Sequence, residues 1–259
     1  MQAGVNISLI GTGKVAMHLA PALQQAGHQV LQVIGRNEAA AKIIAQSCGA
    51  TSSSDFSSLS PQAQLLILAV SDSAIAEIAE KLPNGDFVLV HVSGAAPISS
   101  LARFKNHGVL YFLQSFVPHK KPDFTQMPVL INGSNEASLS LIRIVAESLS
   151  EKVSAVSDHQ REAVHLAAVF ANNFSNHMLT LAEDILRENN INLDVLKPLI
   201  FESTERLRVA NPSDIQTGPA IRGDYETMKK HLELLNNAEI KDLYERISKS
   251  IQDRHREKL

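Results

Sequence analysis

The 259-residue chain contains one cysteine and no tryptophan, and its aromatic content is 5%. Cys48 has no second cysteine to pair with, which excludes an internal disulfide, and no Cys/His cluster has the spacing of a metal site. The formal net charge of -3 lacks the basic excess that binding to a phosphate backbone needs. We therefore expect a reducing compartment, no nucleic-acid partner and no bound metal.

A long hydrophobic segment is also missing. Ala163–Ala182 has no charged residue, but its asparagines and histidines would be costly in hydrocarbon. The N-terminal sequence MQAGVNISLIGTG lacks the basic and apolar regions of a secretory signal. These features predict a cytoplasmic protein without a membrane partner.

Up to about Ser157, short apolar runs alternate regularly with helical patterns. This alternation is typical of βαβ units. The predicted strands are Asn6–Ile10, Gln29–Ile34, Leu65–Val70, Phe87–Val92, Val109–Phe112, Val129–Asn132 and Lys152–Val156. The predicted helices between them are Lys14–Ala26, Glu38–Cys48, Ser73–Leu82, Pro97–Lys105 and Glu136–Ser150. The Ser-rich stretch Thr51–Ser60 is interpreted as a polar loop.

After Ser157 the pattern predicts helices alone. These helices are Asp158–Asn189, Leu193–Leu207, Tyr225–Asn236 and Glu239–Arg256. We therefore predict an α/β fold, in which residues 1–157 form a Rossmann domain with a doubly wound, mostly parallel sheet. Residues 158–259 are predicted to form an all-α C-terminal domain.

The first predicted strand leads into a G-x-G-x-x-A sequence that opens a helix, which is the pattern of a dinucleotide-binding turn. Its first glycine permits a tight turn, its second lets the backbone approach a pyrophosphate, and its alanine allows close helix packing. The free N–H groups of the helix N-terminus favour phosphate. The alternative is a plain β-turn-α connection. The residues predicted to bind the cofactor here are Gly11, Thr12, Gly13, Lys14, Val15 and Ala16.

The end of the second predicted strand indicates which dinucleotide binds. NAD sites tend to place Asp or Glu there for the ribose 2′-hydroxyl, whereas an arginine accommodates a 2′-phosphate. Here the sequence is Gly35, Arg36, Asn37, without an acid. NADP is therefore the predicted cofactor, with Arg36 on the phosphate and Asn37 on the adenosine or capping the next helix. The alternative for Arg36 is a solvated loop residue.

Two further strand ends are predicted to contact the cofactor, because open α/β sheets bind ligands at their carboxyl edge. Val70 and Ser71 lie at the end of one strand and are placed along the adenosine ribose and the pyrophosphate. Ser93 and Gly94 follow the next strand and are placed near the nicotinamide. Asp72 is either another cofactor contact or a helix cap.

At about 100° per residue, His165, Asn172, Asn176 and Glu183 fall on one face of the long predicted helix, opposite an apolar face. Because Ala163–Ala182 contains no charged residue, the polar stripe is predicted to be buried or half-buried, facing either the cofactor cleft or a partner subunit. His165 is the predicted acid/base of a hydride transfer, Asn172 its orienting group and Asn176 a substrate contact. The alternative is that these side chains satisfy one another at a helix interface.

Three other residues are candidates for the same chemistry. His91 and His119 are lesser candidates for the acid/base. Arg222 either binds a carboxylate or phosphate of the substrate or pairs with a helix acid, and Asp224 is predicted to cap the next helix.

The chain resembles a family of Rossmann-like proteins whose C-terminal helical domain is a numbered domain of unknown function. The resemblance covers nearly the whole chain and rests on the motifs ISLIGTGKVAMHLA, LILAVSDSAI, VLVHVSGA with YFLQSF, VHLAAVFANNFSNHM and TGPAIRGDYETMKKHLELL. This family is similar to pyrroline-carboxylate reductase, deazaflavin-dependent NADP oxidoreductase and the 6-phosphogluconate dehydrogenase superfamily. The resemblance implies a nicotinamide nucleotide and often a homodimer formed through the C-terminal helices. His165 lies where hydroxyacid dehydrogenases of that superfamily carry a lysine.

Two functional hypotheses are favoured over a third, a purely structural interaction protein, which would leave the phosphate-binding turn unexplained. The first is an NADP(H)-dependent oxidoreductase acting on a small carbonyl or imine substrate bound between the two domains. The second is a non-catalytic NADP(H) sensor, in which His165 and Asn172 are packing residues.

Overall fold

The computed structural model describes residues 4–256. The chain divides between Asn172 and Asn173 into two compact units. In the described residues, helices alone follow Ser157, where the domain boundary was predicted. The division of the chain into domains at that residue stays a prediction.

The first unit is built on one eight-stranded sheet with the strand order β3-β2-β1-β4-β5-β6-β7-β8. Neighbouring strands are parallel except for the antiparallel pair β6 and β7. The strands are β1 (Asn6–Ile10), β2 (Gln29–Ile34), β3 (Thr51–Ser53), β4 (Leu65–Leu68), β5 (Val88–His91), β6 (His107–Phe112), β7 (Val129–Gly133) and β8 (Val153–Ala155).

Helices cover both faces of this sheet in the first unit and make up most of the second. The helices are α1 (Lys14–Gln25), α2 (Glu38–Cys48), α3 (Ile75–Lys81), α4 (Glu136–Leu149), α5 (Asp158–Ala168), α6 (Ser175–Glu188), α7 (Lys197–Arg206), α8 (Tyr225–Leu234) and α9 (Ala238–Arg254). None of the helices in the described part of the chain is long and apolar enough to cross a lipid bilayer.

The core of the first unit follows from the apolar patterns. Every residue of β4, LLIL, is buried, as a strand covered on both faces requires. In α1 the buried residues Ala16, Leu19, Ala20 and Leu23 recur at helical spacing and form the stripe that packs on the sheet. Because β1, β2, β4 and β5 are parallel, their carboxyl ends lie at one edge, which is where the turn after β1 is placed.

The predicted α/β fold with a mostly parallel sheet is confirmed, and three local predictions are wrong. The Ser-rich stretch is not all loop, because Thr51–Ser53 pairs with β2 as the edge strand β3. The segment Pro97–Lys105, predicted as a helix, forms a 3-10 turn at Ile98–Leu101 and no α-helix. The helix predicted over Asp158–Asn189 is interrupted by a π-helical segment at Val169–Phe174.

The second unit buries little apolar surface. Among the described residues from Asn173 onward, Ala220 is the one apolar residue that is buried. Large apolar side chains are instead exposed on α6, α7 and the connections around them. They include Phe174, Ile185, Ile191, Val195, Leu199, Phe201, Leu207 and Val209.

Candidate functional site

The turn between β1 and α1 has the geometry that close approach to a phosphate requires. Gly11 has φ +125° and lies so near β4 that an added Cβ would be 2.0 Å from the Ala69 carbonyl oxygen. A Cβ added to Gly13 would meet no atom of the described residues within 4 Å, so this side of the backbone is open. Gly13 also lacks a side chain that could cap α1, which leaves the first N–H groups of the helix available to an anion.

This turn forms part of a cleft of about 740 Å³ at the carboxyl edge of the sheet. The residues predicted to bind the cofactor that line the cleft are Gly11, Thr12, Gly13, Lys14, Val15, Arg36, Asn37, Val70 and Ser71. Four other predicted cofactor residues, Ala16, Asp72, Ser93 and Gly94, do not line it. The fully buried Ala16 packs α1 against the sheet instead.

The end of β2 brings an exposed cation to the cleft. Gly35 passes so close to the turn that an added Cβ would be 2.4 Å from Thr12 Cγ2. The next residue, Arg36, is exposed and lines the cleft. Asn37 lines the cleft as well, and its side chain accepts a hydrogen bond from Ala40 N at 3.0 Å, which caps α2. Arg36 is therefore placed to meet an anionic group. Asn37 caps α2, which is one of the two roles predicted for it.

Asp72 and Ser93, two further residues predicted to contact the cofactor, lie in the loops after β4 and β5. Asp72 lies inside the 3-10 turn Asp72–Ala74, for which Ser71 is the N-cap position, so the interpretation of Asp72 as the helix cap is wrong. The Ser93 hydroxyl accepts from Ala95 N at 3.0 Å and Ala96 N at 2.8 Å. Ser93 therefore shapes its own loop, while its neighbour Val92 lines the cleft.

A second polar cluster lies beside this loop, where Gly94, Tyr111 and His165 meet. The Tyr111 hydroxyl is 3.1 Å from His165 Nδ1, and the two rings make an edge contact with centroids 5.9 Å apart. A Cβ on Gly94 would be 2.5 Å from His165 Nδ1 and 2.8 Å from Tyr111 Cζ. A side chain at position 94 would therefore displace the Tyr111–His165 pair, which occupies the space of its Cβ.

His165 is positioned by the start of α5. Ser157 and Gln160 form a capping box that begins the helix. One turn before His165, the fully buried guanidinium of Arg161 forms an ion pair with Asp158 at 2.5 Å. Arg161 also donates to the carbonyl oxygens of Gly94, at 3.3 Å, and Ala96. Arg161 therefore ties α5 to the loop that His165 contacts.

His91, at the end of β5, lies buried beneath this cluster. Its Nδ1 accepts from Ser93 N at 3.2 Å. Burial, followed by the positive charge of Arg161, lowers the pKa of His91 to about 4, against smaller opposing effects of Pro97, Asp158 and Asp72. Burial also raises the pKa of Tyr111. At neutral pH His91 is uncharged and Tyr111 is a phenol, so neither adds a charge to the cluster.

The π-helical segment after α5 carries Asn172, whose Nδ2 donates to Ser115 Oγ at 2.8 Å. Extra residues of this kind inside helices recur at functional sites. The segment also changes the angular position of everything after it, so the predicted stripe is not one face. Asn172, Asn176 and Glu183 are exposed in the single chain, so the prediction that they are buried within it is wrong, and their burial against a partner subunit stays a prediction.

Arg222 and Asn176, the two residues predicted to bind the substrate, both lie in the second unit. Arg222 is exposed and its Nη2 lies 3.9 Å from Oδ2 of Asp224, the N-cap residue of α8, and its role stays a prediction. Asp224 caps α8 by accepting from Thr227 N at 3.1 Å, as predicted. Asn176 is exposed on α6. Within residues 4–256, no three His, Cys, Asp or Glu side chains lie close enough to hold a metal ion.

Sequence reasoning missed several residues at these sites. Phe56, Glu77, Ile78 and Lys81 line the cleft, and Tyr111 contacts His165. Glu77 and Lys81 could have been found by extending the helix after β4 at its 3.6-residue period toward the cleft.

A G-x-G-x-x-A turn facing an open cleft at the carboxyl edge of a doubly wound sheet defines a Rossmann-like fold. A family model described as a Rossmann-like domain matches residues 1–113. A second, described as a domain of unknown function (DUF2520), matches residues 127–251. A solved structure from Bacteroides fragilis, assigned as an NADP oxidoreductase, is 35% identical, covers 96% of this chain and 98% of that chain, and has a TM-score of 0.90. The chain belongs to this family of Rossmann-like proteins with a DUF2520 domain, which confirms the predicted resemblance.

More distant structures share the fold. The 1-pyrroline-5-carboxylate reductase from Streptococcus pyogenes is 16% identical, with coverage of 96% of this chain and 99% of that chain and a TM-score of 0.66. The reductive aminase from Aspergillus terreus, in complex with NADPH and ethyl-5-oxohexanoate, is 17% identical, with coverage of 96% and 95% and a TM-score of 0.70. At these identities the likeness shows the fold alone. No curated protein matches the chain.

Proposed function

We propose that this protein is an NADP(H)-dependent oxidoreductase that transfers a hydride to or from a small carbonyl or imine compound. The observation that carries the proposal is the cleft formed by the open Gly11–Val15 turn and by Arg36. Arg36 follows the end of β2, where residues 35–37 include no Asp or Glu. The assignment of the Bacteroides fragilis relative as an NADP oxidoreductase supports it. So does the fold shared with a pyrroline-carboxylate reductase and a reductive aminase in complex with NADPH.

The residues of the cleft fit such a dinucleotide. The unobstructed side of Gly13 and the N-terminus of α1 would hold the pyrophosphate, and Arg36 would hold the 2′-phosphate. Val70 and Ser71 would lie along the adenosine half. When bound, NADPH supplies the hydride from its nicotinamide ring.

His165 is the proposed acid/base. As the general acid of a reduction, His165 would be an imidazolium whose Nδ1–H donates to the Tyr111 hydroxyl oxygen and whose Nε2–H faces the substrate heteroatom. The Nε2 proton passes to the substrate oxygen or nitrogen and leaves a neutral imidazole that keeps its proton on Nδ1; in oxidation, Nε2 of that neutral imidazole takes the proton back. Asn172 uses one amide N–H on Ser115 and has a second for the developing negative charge. Asn176 and Arg222 remain candidates for binding the substrate.

The cofactor is tested by titrating the protein with NADPH and with NADH and following nicotinamide fluorescence. Arg36→Ala is expected to weaken NADPH binding about tenfold while NADH binding changes less than about twofold, because NADH lacks the 2′-phosphate. Arg143→Ala, which removes a surface arginine of α4 outside the cleft, is the matched control. Binding of neither nucleotide contradicts the proposal.

Catalysis by His165 is separated from the sensor alternative with His165→Ala. NADPH oxidation is followed with a panel of aldehydes, ketones and cyclic imines. Loss of turnover with unchanged NADPH affinity supports the acid/base role, and unchanged turnover contradicts it. Tight NADPH binding without turnover on any compound of the panel favours the non-catalytic sensor.

We also propose a homodimer formed through the C-terminal helices. The support is the exposed apolar surface of the second unit, where Leu199 is 59% and Phe201 65% exposed on α7. Many large apolar side chains exposed on one unit are typical of a surface that another chain covers. Sedimentation velocity is expected to show a dimer that Phe201→Glu converts to a monomer. Ile43→Glu, at an equally exposed apolar position of α2, is the control, and a monomeric wild type contradicts the proposal.

A further inference from the structure

Two charged side chains of α3 line the same cleft as Arg36. Lys81 Nζ donates to Glu77 Oε1 at 2.5 Å, one helical turn away. Pairs of this spacing are common on helix surfaces and contribute little to stability. This pair differs from an ordinary surface pair because both of its members line the dinucleotide cleft.

The charges around Glu77 are unbalanced in a way that suits an anion. The hydrogen bond and the charge of Lys81 lower the pKa of the Glu77 carboxyl, and the charge of Arg36 adds to this effect. Glu77 is therefore ionised at neutral pH, within electrostatic reach of two cations. One carboxylate facing two cations leaves a net positive charge in this part of the cleft.

A 2′-phosphate carries between one and two negative charges at neutral pH and offers three acceptor oxygens, more than one arginine satisfies. Lys81 can become a second donor when it exchanges the Glu77 carboxylate for the phosphate. Glu77 opposes this exchange in two ways, because it holds Lys81 and repels a phosphate beside it.

We infer that Lys81 is a second binding residue for the 2′-phosphate of NADP(H), and that Glu77 is the counter-ion that competes with the phosphate for Lys81. This inference rests on the proposed function, because it presupposes that NADP(H) occupies the cleft. Arg36 then supplies a planar guanidinium and Lys81 a compact ammonium. The balance between Lys81 and Glu77 sets the preference of the cleft for NADPH over NADH.

The test compares dissociation constants for NADPH and NADH at low and at physiological salt. Lys81→Met is expected to weaken NADPH binding about tenfold, or 1.4 kcal/mol, and NADH binding less than about twofold. Glu77→Gln is expected to tighten NADPH binding about threefold and to leave NADH binding unchanged. The matched controls are Glu80→Gln on the same helix and Lys105→Met, neither of which lines the cleft.

Each outcome is decisive. Equal weakening of NADPH and NADH by Lys81→Met would place Lys81 on the shared part of the dinucleotide and overturn the inference. Weaker NADH binding with unchanged NADPH binding in Glu77→Gln would show that Glu77 reads a ribose hydroxyl, which also overturns it. If Arg36→Ala is selective for NADPH but Lys81→Met has no effect, the inference fails and the proposed function stands. A wild type that binds neither nucleotide overturns both.

Discussion

Replacing Gly94 with alanine would place a methyl carbon where the Tyr111–His165 hydrogen bond forms. The added carbon would be 2.5 Å from His165 Nδ1 and 2.8 Å from Tyr111 Cζ, so both rings have to move. Overpacking of this kind costs roughly 1–3 kcal/mol, and the lost hydrogen bond adds about 1 kcal/mol. We expect Gly94→Ala to lower the free energy of unfolding by about 2–4 kcal/mol.

Gly13→Ala is the matched control with the opposite outcome. The added carbon at position 13 meets nothing described within 4 Å, and φ there is -79°, which alanine adopts without strain. The free energy of unfolding is expected to stay within about 1 kcal/mol of the wild type. NADPH binding is expected to weaken by at least about tenfold, because the methyl group projects where the pyrophosphate would approach.

Urea denaturation followed by circular dichroism measures both stabilities, and ¹H–¹⁵N spectra of the histidine rings report the Tyr111 contact of His165. If Gly94→Ala unfolds at the wild-type urea concentration with an unchanged His165 spectrum, the close packing at Gly94 is refuted. If Gly13→Ala unfolds as early as Gly94→Ala, the comparison of open and filled space is wrong.

Three further predictions concern the same region. Tyr111→Phe removes one hydrogen bond and is expected to lower the free energy of unfolding, measured by urea denaturation, by about 1 kcal/mol and to slow any turnover found. An unchanged spectrum of the His165 ring in this variant would contradict the Tyr111 contact. Arg161→Met removes the ion-pair partner of Asp158 and the side-chain donor to two carbonyl groups, and it is expected to cost about 3–5 kcal/mol, with thermal unfolding as the readout. The pKa of His91 is lowered from 6.5 to about 4 by folding, so the unfolded chain binds more protons between these values. His91 therefore contributes a loss of stability of about 3 kcal/mol as the pH falls from 6.5 to 4, and His91→Gln is expected to flatten that part of the profile.

The strands and turns that depend on local pattern were predictable. The bounds of β1, β2 and α2 agree with the apolar periodicity, and Gly11 and Gly13 follow from what a phosphate-binding turn requires of its backbone. Strand β3 was not predictable in this way, because Thr51–Ser53 is polar and is held in the sheet by its backbone pairing with β2.

Contacts between distant parts of the chain were not predictable. Tyr111 and His165 are 54 residues apart, and their pairing depends on how α5 is tied to the loop after β5 by Arg161. The change to a π-helix after α5 is likewise a property of the folded chain, since nothing in the 3.6-residue pattern marks it.

Among residues 4–256, those that line the dinucleotide cleft all lie between Ile10 and Val92. His165 and Asn172, the proposed acid/base and its orienting group, lie in the later half of the chain. During synthesis on the ribosome, the segments that line the cleft emerge before those proposed to act on the substrate. Over evolution, the later half can change the compound that reacts without altering a residue of the cleft, so relatives that share the first 92 residues can differ in substrate while keeping one cofactor.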